Sequence, residues 1–285
     1  MSGGREPVTA TFWLLEAPDS LAQQSRREPD GTGLGYFDAH GHPVVEKQPL
    51  AAYEDEQFAC EAREARSTTF VAHIRYASTG AVAAANTHPF EQAGRLFAHN
   101  GVIGDLDALD ERLGPARSLV HGETDSERYF ALITSEAEQA GDIAKGIDAA
   151  VSWIARNLPV FALNFVLITA EELWALRYPD VHELYVLERA AGGPTGRRHL
   201  EHASARGSIR VRSGDLGRAP AAVVASEVMD EDAGWRALSP GELIHVGPDL
   251  SVSSTTVLDQ APAHQLTLAD LGDKAAASQA PSGRP

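Results

Sequence analysis

The chain has 285 residues, a formal net charge of −16, 43% hydrophobic and 22% charged residues, and one cysteine. That length supports one large domain, or two small ones, with a sizeable core, and the ordinary globular composition excludes wholesale disorder. The acidic excess argues against a nucleic-acid or anionic-membrane partner, which needs a basic patch, and leaves small molecules or proteins. The lone Cys60 excludes an internal disulfide and fits a reducing compartment. The opening Met1-Ser2-Gly3-Gly4 lacks the apolar core of a signal peptide, and the longest apolar run, 159–170, is too short to cross a bilayer. These features predict a cytoplasmic protein.

In chain order, Thr9 to Leu15 is a β-branched and aromatic run compatible with strand or helix, stopped by Pro18. Ser20 to Arg27 reads as helix, capped by Asp19 or Ser20. Gly31 to Phe37 reads as a glycine-rich strand, Asp38-Ala39-His40-Gly41 as a hairpin turn, and Val44 to Lys47 as the returning strand. Tyr53 to Arg66 has the pattern of a charged amphipathic helix, with Cys60 expected as a small buried thiol among Phe58, Ala59 and Ala62. Two β-rich runs, from Thr69 and from Leu96, flank a Gly/Ala/Asn loop ending at Pro89. Helices follow at Leu106 to Leu113 and from Thr124, and Ile143, Ile147, Val151, Ile154 and Leu158 form one helical apolar stripe. From Phe161 the period changes to two, with strand-like runs at 161–168, 173–177, 183–187, 208–212, 221–226 and 242–246. Strands, then helices, then strands without crossover helices predict an α+β layered domain of stacked antiparallel sheets over 1–258. The Ala/Pro/Ser/Gly-rich residues 259–285 are expected to form a flexible tail.

The 69–105 region carries most of the chemistry-bearing residues. Arg75 ends an apolar strand, where its guanidinium is either a solvated strand end or a planar fork for a carboxylate. Asn100-Gly101 between apolar runs is a strong type I′ turn signal; alternatively, the amide and the Gly101 N–H could form an oxyanion hole. Thr124-Asp125-Ser126-Glu127 fits a capping box, and Asp125 in the first turn could equally hold a substrate ammonium. His73, His88, His99 and His121 sit on separate elements without the i, i+4 spacing of a zinc helix, so no metal is expected. Gly31, Gly33 and Gly35 lack dinucleotide-binding spacing, and no cofactor is expected.

Taken together, the order Arg27–Asp30-Gly31–Gly33, His73-Ile74-Arg75-Tyr76-Ala77-Ser78-Thr79-Gly80, Asn86-Thr87-His88-Pro89-Phe90, Ala98-His99-Asn100-Gly101 and Thr124-Asp125-Ser126-Glu127 resembles the class II glutamine amidotransferase family, of the N-terminal-nucleophile hydrolase superfamily. The likeness is strong over residues 18–130 and weaker over 163–246, and is nearest the stand-alone subgroup that includes γ-glutamyl amidohydrolases. It implies a four-layer αββα sandwich. It also implies that Arg75 binds the glutamine α-carboxylate, that Asp125 binds the α-ammonium, and that Asn100 and Gly101 form the oxyanion hole. The backbone around Ser78 and Thr79 would help to seat the glutamyl group. The implied partners are glutamine or a γ-glutamyl small molecule and a separate ammonia-accepting enzyme.

The family's nucleophile is a cysteine exposed as the first residue, its own α-amine serving as base, at the head of a short apolar strand. This sequence opens Met1-Ser2-Gly3-Gly4 instead. Loss of a nucleophile costs on the order of 10⁶ in kcat in a well-studied protease. Three explanations compete: a misplaced start hiding a Met-Cys-Arg-like leader, a non-catalytic γ-glutamyl-binding or scaffold relative, and Ser2 acting as the N-terminal nucleophile. Cys60 could serve only after cleavage at its own peptide bond.

Overall fold

The computed structural model describes residues 7–75, 83–191, 200–203, 210–213 and 219–279. The described chain begins beside Ser67, to which Val8 is bridged antiparallel through both backbone hydrogen bonds. A π-helical turn, Phe12–Glu16, and a one-turn helix α1, Leu21–Gln24, follow. The run 9–15 is therefore neither a strand nor an α-helix, and the helix expected over 20–27 is shorter than its pattern suggests. Strands β1 (Gly31–Phe37) and β2 (Pro43–Gln48) form the expected hairpin. Asp38 closes its turn, with Oδ1 accepting from the His40 and His42 N–H groups at 2.8 and 2.9 Å.

Helix α2 (Glu56–Glu64) starts where Asp55 accepts hydrogen bonds from the Gln57 and Phe58 amides. Phe58 and Ala62, four residues apart, form its buried face. Cys60 lies between them in sequence, hence on the opposite side, and is exposed rather than buried. Strand β3 (Phe70–Arg75) pairs with β1, and β4 (Phe90–Gln92) leads into β5 (Arg95–Ile103). Asn100-Gly101 lies inside β5 and makes no turn. Its partner β6 overrides the local propensity, since Asn100 faces Asn164 and Gly101 faces Leu163.

Helices α3 (Leu106–Leu113), α4 (Asp125–Ala140) and α5 (Ile143–Asn157) come next. Thr124 caps α4 by accepting from the Glu127 amide. The Glu127 carboxylate turns instead to the His121 and Gly122 N–H groups, so the reciprocal half of the expected capping box is not formed. After α5 run β6 (Pro159–Ile168), β7 (Leu173–Arg177), β8 (Tyr185–Arg189), β9 (Leu200–Ala203), β10 (Arg210–Ser213), β11 (Ala221–Ala225), β12 (Arg236–Ala237), β13 (Glu242–Val246), β14 (Val252–Thr256) and β15 (His264–Gln265). The described chain ends in helix α6 (Asp273–Gln279).

These elements form a four-layer αββα sandwich. One layer is a seven-stranded sheet ordered β14-β13-β7-β6-β5-β4, with β15 joining β6 in parallel. On its outer face Phe97, Phe165, Trp174 and Leu176 pack against Tyr129, Phe130, Ile133, Ile147 and Ile154 of α4 and α5. The alternate residues of the same strands, Leu96, Ala98, Ala175 and Ile244, pack inward against Val71, Val186 and Ala222 of the second sheet layer. That second layer consists of two three-stranded pieces, β2-β1-β3 and β11-β8-β12. Its outer face is covered by α2 and the 12–16 turn. Within 259–285, expected as a flexible tail, residues 264–279 contain regular elements. β15 pairs with β6, and Leu266 and Leu271 pack on Val102, Phe161 and Ala162. Residues 280–285 lie outside the described residues.

Candidate active site

The alternation along β3 and β5 decides which side chains meet. On β3, Val71 faces the inter-sheet layer, and His73 and Arg75 follow on that face. On β5, Leu96 and Ala98 face the same layer, so Asn100 does too. Gly101 must be glycine, because a Cβ there would lie 1.9 Å from the Ala162 carbonyl oxygen and 2.8 Å from His99 Nε2. The N-terminus of α4 enters from the helical side and delivers Asp125, whose Oδ2 accepts from the Ile103 amide at 2.9 Å. Arg75, Asn100, Gly101 and Asp125 all line one cavity of about 380 Å³. Arg75 and Asp125 are 5% and 3% exposed, so their charges act in a poorly screened environment. Ser78, Thr79 and Ser2, the other site residues expected from sequence, lie outside the described residues.

Behind this wall lie three of the four histidines considered above as a metal set, His73, His88 and His99. The rings of His73 and His88 are 4.3 Å apart. Burial lowers the pKa of His73 to about 4 and holds that of His88 well below its ordinary value, with neighbouring His and Arg charges adding to both. His99 is also depressed by burial, opposed by the Asp125 carboxylate. Its Nε2 lies 3.1 Å from the Ala162 carbonyl and its Nδ1 lies 2.9 Å from Ser126 Oγ. The carbonyl can only accept, so Nε2 carries the proton and Nδ1 accepts from the serine. The arrangement places neutral imidazoles beside Arg75. His121 stands apart and donates its backbone N–H to Glu127. Among the described residues, no group of three or more His, Cys, Asp or Glu side chains is arranged to hold a metal ion. No helix among them is long and apolar enough to cross a membrane.

Two further sets of residues border the cavity. Glu28 and Glu227 lie on its rim, and burial raises the Glu28 carboxyl to about 7, reinforced by Glu227 and opposed by Arg27. His182, Ser278 and Gln279 form another part of the lining.

The cavity continues into a narrower, mostly apolar slot of about 160 Å³, with Ala72, His73, Asn100 and Ser226 common to both. Val71 of β3 lines one side of the slot and Val223 and Val224 of β11 the other, with Trp13 and Leu14 also contributing. β3 pairs only with β1 and β11 only with β8 among the described residues, so each turns an open strand edge towards the slot. No residue described in the cavity lining is a thiol.

A buried cation, a buried anion and a side-chain amide beside a backbone N–H can together fix a zwitterionic amino acid and polarise its distal carbonyl. Comparison with known proteins gives this arrangement its context. Residues 16–267 match the family model described as glutamine amidotransferases class-II. An uncharacterized protein of Methanocaldococcus jannaschii is 31% identical over 193 residues, covering 64% of this chain and 52% of that protein. Glutamine–fructose-6-phosphate aminotransferase (isomerizing) of Bradyrhizobium diazoefficiens is 27% identical over 163 residues, covering 57% of this chain and 25% of the enzyme. The chain thus spans about half of the first of these relatives and a quarter of the second. Among solved structures, a glutamine aminotransferase class-II domain protein from Silicibacter pomeroyi superimposes with a TM-score of 0.54 at 20% identity, covering 80% of this chain and 92% of its own. The glutamine phosphoribosylpyrophosphate amidotransferase of B. subtilis gives a TM-score of 0.58 at 19% identity, covering 85% and 46%. These two share the fold, and the match over 16–267 fixes the lineage: the chain belongs to the class II glutamine amidotransferase family, built on the N-terminal-nucleophile hydrolase fold.

Proposed function

We propose that the protein is a γ-glutamyl amide hydrolase of the glutamine amidotransferase type, acting through a thiol at the head of a strand seated between β3 and β11. The observation that carries the reading is the convergence of Arg75, Asp125, Asn100 and Gly101 on one cavity that opens into an apolar slot between two strands. Arg75 pairs with the substrate α-carboxylate and Asp125 with its α-ammonium. This leaves the γ-carbonyl beside the Asn100 amide and the Gly101 N–H. The thiolate adds to the γ-carbon and the C=O electrons move onto oxygen, where the two donors stabilise the charge. Collapse of this intermediate expels ammonia or an amine, protonated by the ammonium group formed when the α-amine took the thiol proton. Water then attacks the resulting thioester, releasing glutamate and restoring the thiol.

The antiparallel Val8–Ser67 bridge supports the placement of the thiol. A strand added in the same antiparallel sense along the open edge of β3 would run towards Arg75. Strand addition there would pair both open edges of the second sheet layer. Because Cys60, the one cysteine in this sequence, is exposed on α2, the proposed thiol is one that this sequence does not contain. The leaving ammonia passes to solvent or to a separate acceptor enzyme, and the protein works in the cytoplasm.

The test is glutamate release from L-glutamine by a chain extended with the sequence encoded immediately upstream. Release well above that of its Arg75→Ala variant is expected, and release equal to that variant rules out hydrolysis. A second reading, a non-catalytic γ-glutamyl-binding protein, is favoured by one observation: Cys60, the only thiol in the sequence, is exposed on α2 and does not line the cavity. Glutamine binding without glutamate release by the extended chain is the outcome that selects it.

A further inference from the structure

Helix α6 lies beyond residue 267, where the family match ends, yet it reaches the cavity. The chain is led there by ordinary backbone pairing. The Ala263 N–H donates to the Ala155 carbonyl and the Leu266 N–H to the Val160 carbonyl, both at 2.8 Å, and Leu266 and Leu271 anchor on Phe161 and Ala162. The helix that follows inverts the usual distribution. Its lysine, acid and alanines are exposed or half-buried, and its single buried residue is a glutamine, Gln279, at 6% exposure. A long amide is normally left in water unless a partner holds it.

That partner is His182, whose Nε2 lies 2.8 Å from Gln279 Oε1. An amide oxygen only accepts, so His182 donates, and burial keeps its imidazole neutral. His182 is itself held from behind: its carbonyl accepts from Asn164 Nδ2 at 3.2 Å and from Arg177 Nε at 2.9 Å. Asn164 is the cross-strand neighbour of Asn100. Gln279 thus ends a fixed hydrogen-bonded series that begins opposite the candidate oxyanion residue and finishes in the cavity lining.

We infer that Gln279, backed by His182, is a specificity wall for the amine portion of the substrate, limiting the size of the substituent on the γ-glutamyl nitrogen. The inference rests on the γ-glutamyl reading above and deepens it. The cavity, at about 380 Å³, lies within the range of pockets for drug-sized ligands, more room than the ten non-hydrogen atoms of glutamine need. Arg75, Asp125, Asn100 and Gly101 account for the glutamyl portion. The remaining lining, of which Gln279 is a rigidly held part, meets whatever the nitrogen carries. The ligand class is then glutamine or a γ-glutamyl amide with a small amine substituent, and bulky γ-glutamyl amides are turned away by volume.

The experiment measures calorimetric affinities of the full chain for L-glutamine and for γ-L-glutamyl-p-nitroanilide. Gln279→Ala should shift the ratio of the two dissociation constants at least about tenfold towards the anilide, the scale expected when a few atoms of pocket wall are removed. Gln279→Leu restores the volume without the hydrogen bond and should stay within about threefold of the unaltered ratio. A chain ending at Gly272 should behave as the alanine variant does, with melting curves confirming that each variant is folded. An unchanged ratio in Gln279→Ala, or parallel weakening of both ligands, overturns the wall. If the unaltered chain binds neither ligand, the γ-glutamyl reading itself falls, which is a different result from a folded protein whose selectivity ignores Gln279.

Discussion

Among the described residues, the two sheet layers differ in continuity. The seven-stranded sheet is closed over by α4 and α5, with Phe97 stacked on Phe130 at 4.9 Å and in contact with Tyr129 and Phe165 at 5.4 Å. The second layer is split, and β3 and β11 face each other across an apolar slot. The difference separates two tasks. The continuous layer supplies the rigidity that holds Asn100 and Gly101 in place, and the divided layer supplies access. The candidate site residues line the cavity at the seam between the two.

The largest expected effect tests that contrast by truncating one side chain of the continuous sheet and one that borders the slot. Phe97→Ala should cost about 3–5 kcal/mol in chemical denaturation, because a packed aromatic group leaves a cavity. Leu14→Ala, whose side chain already borders the slot, should fall at or below the low end of the ~2–5 kcal/mol range for buried leucines, because less new cavity is made. Equal costs would mean that the border of the slot is as tightly packed as the continuous sheet.

The next effect concerns acid stability. The pKa of His73 is about 4 in the folded protein against 6.5 ordinarily, so folding favours the neutral ring. The stabilisation is fully present above pH 6.5 and is lost as pH falls from there towards 4, on the order of 3 kcal/mol in all. His88 and His99 act in the same direction, while Arg75 faces the same group and opposes any added positive charge. Denaturation midpoints between pH 7 and 4 should therefore fall less steeply in His73→Gln than in the unaltered chain. Superimposable acid limbs would remove His73 as the cause.

The smallest effect sharpens the account of the seam. Asp125→Asn keeps an oxygen for the Ile103 amide and removes only the charge. Glutamine affinity should drop about tenfold, the worth of one charge-assisted hydrogen bond, with little change in melting temperature. Unaltered affinity would dismiss the ammonium role.

Much of this was legible along the chain, for reasons that differ from element to element. The stripe at Ile147, Val151 and Ile154 was legible because one helical face is buried against one sheet, and the strand from Phe161 because a strand buried on both faces reads as a near-continuous apolar run. Asn100-Gly101 misled as a turn because the strand that straightens it is β6, remote in sequence. Arg75, Asn100, Gly101 and Asp125, which line one cavity, were singled out as candidates through motif order, whereas local pattern alone left each of them with a bland alternative. The close approach of His73 and His88 had no local signal, since each ring is brought by a different backbone segment. His182 and Gln279 were out of reach for a related reason. One sits in a loop without a motif, and the other in a stretch whose composition suggests a solvent-exposed tail, and only the anchoring of Leu266 and Leu271 reverses that.

The slot also orders events in time. Its walls come from β3, made early, and β11, made late, so both sides exist only after the chain is synthesised past Ala225. Any segment that emerges first from the ribosome and belongs between them must wait, unpaired, for most of the protein to be produced. Catalytic competence in such a molecule would be the closing act of folding, with the earliest residues translated among the last to be seated.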